Sequence, residues 1–261
     1  MMHTPEQLIL AGVKQSVYPQ YIFKFRIDNN RTESIIKTNE LWFSNPLDFN
    51  DPYDCNTPIK TDTPLKDIEN WLTTAGVPTS QIANYAKLLK NNPNIMKEKT
   101  EKALQEIGIC CFSKKDDSIL QWSHYSDYHR GICLKFDITA DPSFFTIPII
   151  VEYRDDMQHY NHFVDSQNIV NYLIKPKFRG WSYEDEIRIV KRASEISSNG
   201  GKRSFKFKDN ALKEIIFGTK ATNATIKKYR NLCSIHGKSH VKFFKMELGS
   251  GFNYELIKNP I

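Results

Sequence analysis

Residues Gly108–Asp137 read GICCFSKKDDSILQWSHYSDYHRGICLKFD, and their pattern decides the fold. GICCFS and GICLKFD are short apolar runs of strand character. Between them lies a polar turn and then SILQWSHYSDYH, read as a helix. The unit is therefore strand, helix, strand. Helical spacing puts Trp122, Tyr125 and His129 near one face, while His124 and His129 stand five apart and miss the i, i+4 spacing of a zinc helix.

Upstream, residues 5 to 15 read as a short helix and YIFKFR (Tyr21–Arg26) alternates as a strand. Thr32 caps a helix through RTESIIKTN, and LWFSN (Leu41–Asn45) is a second strand. PLDFNDPYDCNTP is too rich in Asn, Asp and Pro for a helix or a central strand, so it is a structured loop. From about 64 to 106, apolar positions recur at helical spacing, with Pro78 and Pro93 as punctuation. This block is read as an inserted helical lid.

Downstream, FTIPIIVEYR is a strand, a helix lies near 158 to 173, and strands follow at EIRIV, RSFKFK and KEIIFGT. A helix from Ala224 to His236 precedes the last strands, VKFFKMEL and FNYELIK. Strands joined by both hairpins and helices predict an α+β protein with a mixed, mostly antiparallel sheet. No linker or repeat interrupts the chain, so residues 1–261 are expected to form a single domain.

Composition narrows the function classes. Aromatics at 12% favour pockets or a well-filled core. The N-terminus lacks a leader pattern and no window holds the ~18 apolar residues of a membrane span, so a cytoplasmic protein without a membrane partner is expected. Five cysteines (Cys55, Cys110, Cys111, Cys133, Cys233) form no CxxC pair and read as buried thiols, with neither disulfide nor zinc expected. A net charge of +6 permits a polyanionic partner without demanding one, and nucleic acid stays open as a partner. Lys202–Lys208 reads first as the solvated face of an edge strand, and otherwise as a phosphate-binding strip.

Four clusters could carry chemistry. FSNPLDFNDPYD (Phe43–Asp54) is either a rigid turn or a substrate-contacting loop, with Asn50, Asp51 and Asp54 its candidates. Cys111–Gly131 offers Ser113, Trp122 and Tyr125. In KFRGWSYEDEIRIVK (Lys177–Lys191), Glu184 and Glu186 stand two apart at the start of a strand, where both carboxylates can enter one site and one can take a raised pKa. The bland reading of Glu186 is an ion pair with Arg188 or a neighbouring lysine on a solvated edge. On the first strand, Lys24 and Arg26 lie between aromatics and can hold an anionic or planar ligand.

Taken together, YIFKFR, LWFSNPLDFNDPYD, CCFS, LQWSHYSDYHRGICLKFD and WSYEDEIRIV resemble the bacterial domain-of-unknown-function family 2971, over roughly Tyr21 to Gly218. That family has no established activity to lend. The order of elements is also similar to the ADP-ribosyltransferase fold, with a cationic position on the first strand, a serine or aromatic motif on a middle strand, and an acidic pair opening a later one. CCFS departs from the Ser-Thr-Ser pattern of toxin-type members, and two residues compete for the first-strand cation.

The distant resemblance implies NAD as substrate and transfer of ADP-ribose to an unknown acceptor, nucleic acid or protein, or to water. Glu186 would stabilise the transition state, Glu184 would orient the acceptor, Lys24 or Arg26 would bind pyrophosphate, and Ser113, Trp122 and Tyr125 would line the nicotinamide-ribose pocket. A non-catalytic module of bacterial defence, sensing a nucleotide or peptide, is one alternative. A metal-assisted nuclease built on Asp48, Asp51, Asp54 and the glutamates is another.

Overall fold

The computed structural model describes residues 4–146 and 148–261. Helix α1 (Pro5–Lys14) opens with a capping box on Thr4. Strand β1 (Tyr21–Arg26) leads to α2 (Asn30–Thr38) and β2 (Glu40–Trp42). The cap of α2 is Asn29, whose side chain accepts from Thr32 N at 3.0 Å. Thr32, expected as the cap, is instead buried inside the helix with its hydroxyl donating to Ile27 O.

After a one-turn 3₁₀ helix at Pro46–Asp48 come α3 (Leu65–Thr74), α4 (Thr79–Asn91) and α5 (Asn94–Glu106), each preceded by proline. This is the expected helical block. The chain leaves the sheet and returns at one point, where Ser44 and Ile109 exchange backbone hydrogen bonds of 2.9 Å. Strand β3 (Gly108–Ser113), α6 (Ile119–Tyr125) and β4 (Ile132–Asp137) then form the strand, helix, strand unit.

Helix α6 is shorter than expected. It ends at Tyr125, and Asp127, Tyr128 and His129 take left-handed φ of 49°, 51° and 70° to turn the chain into β4. Gly131 closes that turn. A Cβ there would lie 2.3 Å from Arg26 O, so only glycine lets β4 start against β1.

Helix α7 (Pro142–Phe145) follows, and the expected FTIPIIVEYR strand divides into β5 (Ile149–Ile150) and β6 (Glu152–Arg154); Ile147 lies outside the described residues. The helix expected near 158 to 173 runs from His162 to Ile174, as α8 (His162–Asp165), a 3₁₀ turn at Ser166–Asn168 and a π-helical stretch at Val170–Ile174. Strand β7 (Pro176–Phe178), a 3₁₀ turn at Arg179–Glu184, and β8 (Glu186–Lys191) carry the acidic pair. The remainder is α9 (Ala193–Ser198), β9 (Ser204–Lys206), β10 (Leu212–Phe217), α10 (Asn223–Ile235), β11 (Lys242–Leu248) and β12 (Leu256–Pro260).

Eight strands form one sheet in the order β12-β11-β10-β4-β1-β3-β8-β5, antiparallel throughout except β10 with β11. The fold is α+β with a mixed, mostly antiparallel sheet, as expected. One face packs Ile22, Leu134, Phe136, Ile187 and Ile215 against α1, α2, α7 and α10. The other packs Phe23, Phe25 and Cys133 under Trp122 of α6, and Ile109 under the segment from Tyr160 to Ile174.

The sheet has a seam. Strand β1 pairs with β4 at six successive residues, from Tyr21↔Asp137 to Arg26↔Ile132, but meets β3 at Phe23↔Ser113 alone. Beyond that point β1 and β3 diverge, and the gap between them becomes a cavity.

Candidate functional site

A cavity of about 210 Å³ opens at the seam. Phe23–Arg26 of β1, Cys111–Ser113 of β3, Gln121 and Tyr125 of α6, Phe49, Asn50 and Asp54 of the polar loop, and Lys177, Glu184 and Glu186 wall it. Of the residues singled out from the sequence, Lys24, Arg26, Asn50, Asp54, Ser113, Tyr125, Glu184 and Glu186 come together here.

The two carboxylates arrive by a route that strand alternation alone does not provide. Glu184 ends a 3₁₀ turn, Asp185 takes a left-handed φ of 44°, and Glu186 begins β8. That single left-handed residue swings both side chains toward Lys177. Lys177 Nζ donates to Glu184 Oε2 at 2.5 Å and to Glu186 Oε2 at 2.8 Å, and stands 3.6 Å from Asp54 Oδ2. The Trp181 ring covers it, with its centroid 5.3 Å from the ammonium.

Arg188, two residues along the same face of β8, completes the cluster. It donates to Glu186 Oε1 at 2.8 Å, Asp54 Oδ2 at 2.7 Å and Ile174 O at 2.7 Å. The ion pair of Glu186 with Arg188 and a lysine thus exists, but it is buried: Glu186 and Arg188 side chains are 3% and 0% exposed. Burial pushes the Glu186 carboxyl up, yet Arg188 and Lys177 together outweigh it and hold the group well below the usual carboxylate range.

Glu184 behaves oppositely. It has one cation where Glu186 has two, and burial, reinforced by the charge of Glu186, raises its pKa despite Lys177. Its other oxygen accepts from Tyr125 OH at 2.5 Å. Burial, and then the hydrogen bond to Glu184 and that group's charge, push the Tyr125 hydroxyl far up, so it stays a donor. Of the two glutamates, Glu184 is therefore the one suited to take up a proton.

Gln121 was not foreseen. Its Nε2 donates to Ser113 Oγ at 3.0 Å, Glu184 O at 2.6 Å and Tyr183 O at 3.1 Å, tying α6 and β3 to the turn that carries Glu184. A buried amide beside an N-capping Ser118 was the signal available in the sequence. Lys177 and Arg188 gave weaker ones, a lysine before FRGW and a basic residue at i+2 of Glu186.

Three expected residues lie elsewhere. Trp122 does not reach the cavity: it is 0% exposed, packs edge-on against Phe25 at 5.1 Å, and donates its indole N–H to Asp116 O. Helical spacing with Tyr125 suggested a shared face, but the apolar ring turns into the core. Asp51 lies on a neighbouring cavity behind the loop, where Oδ1 accepts from Tyr53 N at 2.9 Å. Asp48 is exposed at the surface.

Lys24 and Arg26 line the cavity from the far side. Register pairs them with Leu134 and Ile132, so they alternate onto the face opposite Glu186, which shares its face with Ser113 and Phe23. They reach the cavity through the seam. Lys24 Nζ donates to Cys111 O at 2.8 Å and Arg26 Nε to Thr32 Oγ1 at 3.3 Å; among the described residues neither has a carboxylate at ion-pair distance.

The cavity adjoins a more open cleft of about 450 Å³ lined by Asn50, His124, Tyr125, Phe178, Gly180, Trp181 and Tyr183. Cys111, at the cavity wall, has its thiol pushed well up by burial and by Glu186, which keeps it protonated.

Residues 121–189 match the family model of DUF2971, a protein family of unknown function. The matched stretch contains Gln121, Tyr125, Lys177, Glu184, Glu186 and Arg188, and leaves Lys24, Arg26, Asn50, Asp54 and Ser113 outside it. No curated protein and no solved structure matches the chain. Among the described residues no helix is long and apolar enough to cross a membrane, and no group of three or more His, Cys, Asp or Glu stands ready to hold a metal ion.

Proposed function

We propose that the seam cavity takes NAD as substrate and transfers its ADP-ribose to an acceptor or to water. The observation that carries this reading is the convergence of Glu184 and Glu186 on one cavity also lined by Lys24, Arg26, Ser113 and Tyr125. Lys24 and Arg26 have donors to spare for a pyrophosphate. At about 210 Å³ the cavity suits the nicotinamide-ribose end, and the adjoining aromatic cleft suits the rest. Trp122, buried in the core, drops out of the assignment.

When bound, NAD supplies an electrophilic ribosyl carbon. Glu186, ionised at any working pH, faces that carbon and favours the positive charge that grows on it. Glu184, with its raised proton affinity and its bond from Tyr125, takes the proton of the attacking group. Ser113 and Gln121 hold the turn in place.

A non-catalytic nucleotide- or peptide-binding module is the second reading. It is favoured by one observation: the charge of Glu186 is already matched by Arg188 and Lys177. The metal-assisted alternative is less well supported, because those cations stand between the carboxylates that a metal would bridge.

Nicotinamide release by wild type, Glu186→Gln and Glu184→Gln, with melting temperatures in parallel, separates the readings. The transferase reading expects a loss on the order of 100-fold in Glu186→Gln at equal folded fraction. In Glu184→Gln, transfer to an acceptor should suffer more than hydrolysis. No release by the wild type with NAD in excess favours the binding module. Release undiminished in folded Glu186→Gln refutes the assigned site.

A further inference from the structure

An acidic pair in a pocket ordinarily invites a cation, and in a transferase it would welcome a guanidinium or ammonium acceptor. Here the pair is filled from within. Lys177 Nζ lies between Glu184 and Glu186 at 2.5 and 2.8 Å, with Asp54 at 3.6 Å and the Trp181 ring over it. Its three protons have three anionic neighbours. Lys177 is buried, and on the other side Arg188 takes up the remaining Glu186 oxygen, Oε1, and shares Asp54 Oδ2 with Lys177.

We infer that Lys177 is a built-in cation that closes the acidic pair to positively charged acceptors, so the site modifies an uncharged oxygen nucleophile, a hydroxyl or water. The inference rests on the transferase reading for its chemistry and on the geometry of Lys177 for its specificity. A guanidinium would have to displace a tethered ammonium that already donates to both Glu184 and Glu186. A hydroxyl brings no charge and needs only a proton acceptor. In the transfer, the bond from the ribosyl carbon to the nicotinamide nitrogen breaks with its electron pair leaving on nicotinamide. The hydroxyl oxygen forms the new bond to that carbon and its proton passes to Glu184. Tyr125 OH, which donates to Glu184, fixes the carboxyl orientation for that step.

Two measurements test this. The first is binding of methylguanidinium, followed by calorimetry on the full chain. The wild type should show no saturable binding, Lys177→Arg should remain closed, and Lys177→Met should gain affinity by at least about tenfold, the worth of one charge-assisted contact. Adding Glu184→Gln to Lys177→Met should remove the gain. Saturable binding by the wild type, or none by a folded Lys177→Met, overturns the inference; should Lys177→Met fail to fold, the wild type and Lys177→Arg decide it.

The second is an acceptor competition with NAD, agmatine and methanol. O-methyl ADP-ribose should form and the agmatine conjugate should not; modification of agmatine at a comparable rate overturns the inference. Absence of nicotinamide release would count against the transferase reading alone, and the binding measurement would still decide the role of Lys177.

Discussion

Arg188 has no exposed surface and divides its guanidinium between Glu186, Asp54, the Ile174 carbonyl and the Cys55 sulfur. Such a residue holds charge in place more than it stabilises the fold, because desolvation offsets much of the attraction. Removing it leaves two buried carboxylates with only Lys177. Arg188→Met should therefore cost about 3–5 kcal/mol near neutral pH.

The cost has a pH signature. Arg188 and Lys177 hold the folded pKa of Glu186 below its unfolded value, so the contribution is complete above the ordinary carboxylate range and is lost as pH falls through the folded pKa. Wild type and Arg188→Met should accordingly converge in melting temperature toward acid pH. A deficit that stays constant from neutral to pH ~3, below the ordinary Glu pKa of about 4.3, would contradict this account.

At this scale the sequence was half legible. The acidic pair showed because two glutamates precede alternating Ile and Val, and the Arg188 pairing followed from strand period. Its burial did not, since a strand reads the same on an edge or under a covering segment. Lys177 gave only a weak signal as a site residue because the parallel pairing of β6 with β7, and the 3₁₀ turn after it, bring it to Glu184.

Among the elements, α6 does the most for the cavity. Ser118 caps it, Trp122 anchors it in the core, and Gln121 uses one amide to tie it to β3 and to the Glu184 turn. Gln121→Met keeps the volume and leaves the carbonyl of Glu184 short of a donor, while Tyr183 O keeps the Ser118 hydroxyl. A loss of about 1–3 kcal/mol is expected, with a drop in any ligand affinity larger than the stability loss explains. Equal melting temperatures for the variant and the wild type would show the amide to be idle.

Strand, helix, strand patterns here were readable because the polar turn at Lys114–Asp117 and the glycine before β4 bracket them. The end of α6 was not. Three consecutive left-handed residues without a glycine among them have no propensity signature, and they persist because Gly131 and Gly218 let the Arg26 and His129 carbonyls approach closely. The helix near 158 to 173 was legible as a helix but not in its kind, because apolar spacing does not distinguish the α, 3₁₀ and π turns that follow one another from His162 to Ile174.

For the molecule as a whole, α+β class and the helical block followed from the order of patterns along the chain. The order of strands in the sheet did not, since β1, β3 and β8 become neighbours only through long-range pairing. That order creates the seam, and the seam divides the eight strands into β12-β11-β10-β4-β1 and β3-β8-β5. A sheet joined by one residue pair has little backbone reason to open as one unit.

Native-state hydrogen exchange should therefore report two opening free energies, with the amides of β3 and β8 released separately from those of β1, β4 and β10. A single shared value across all five strands would refute the division. The cavity straddles that boundary, with Lys24 and Arg26 on one part and Glu184 and Glu186 on the other. A ligand touching both sides would act as a rivet, and saturating it should merge the two openings into one cooperative transition.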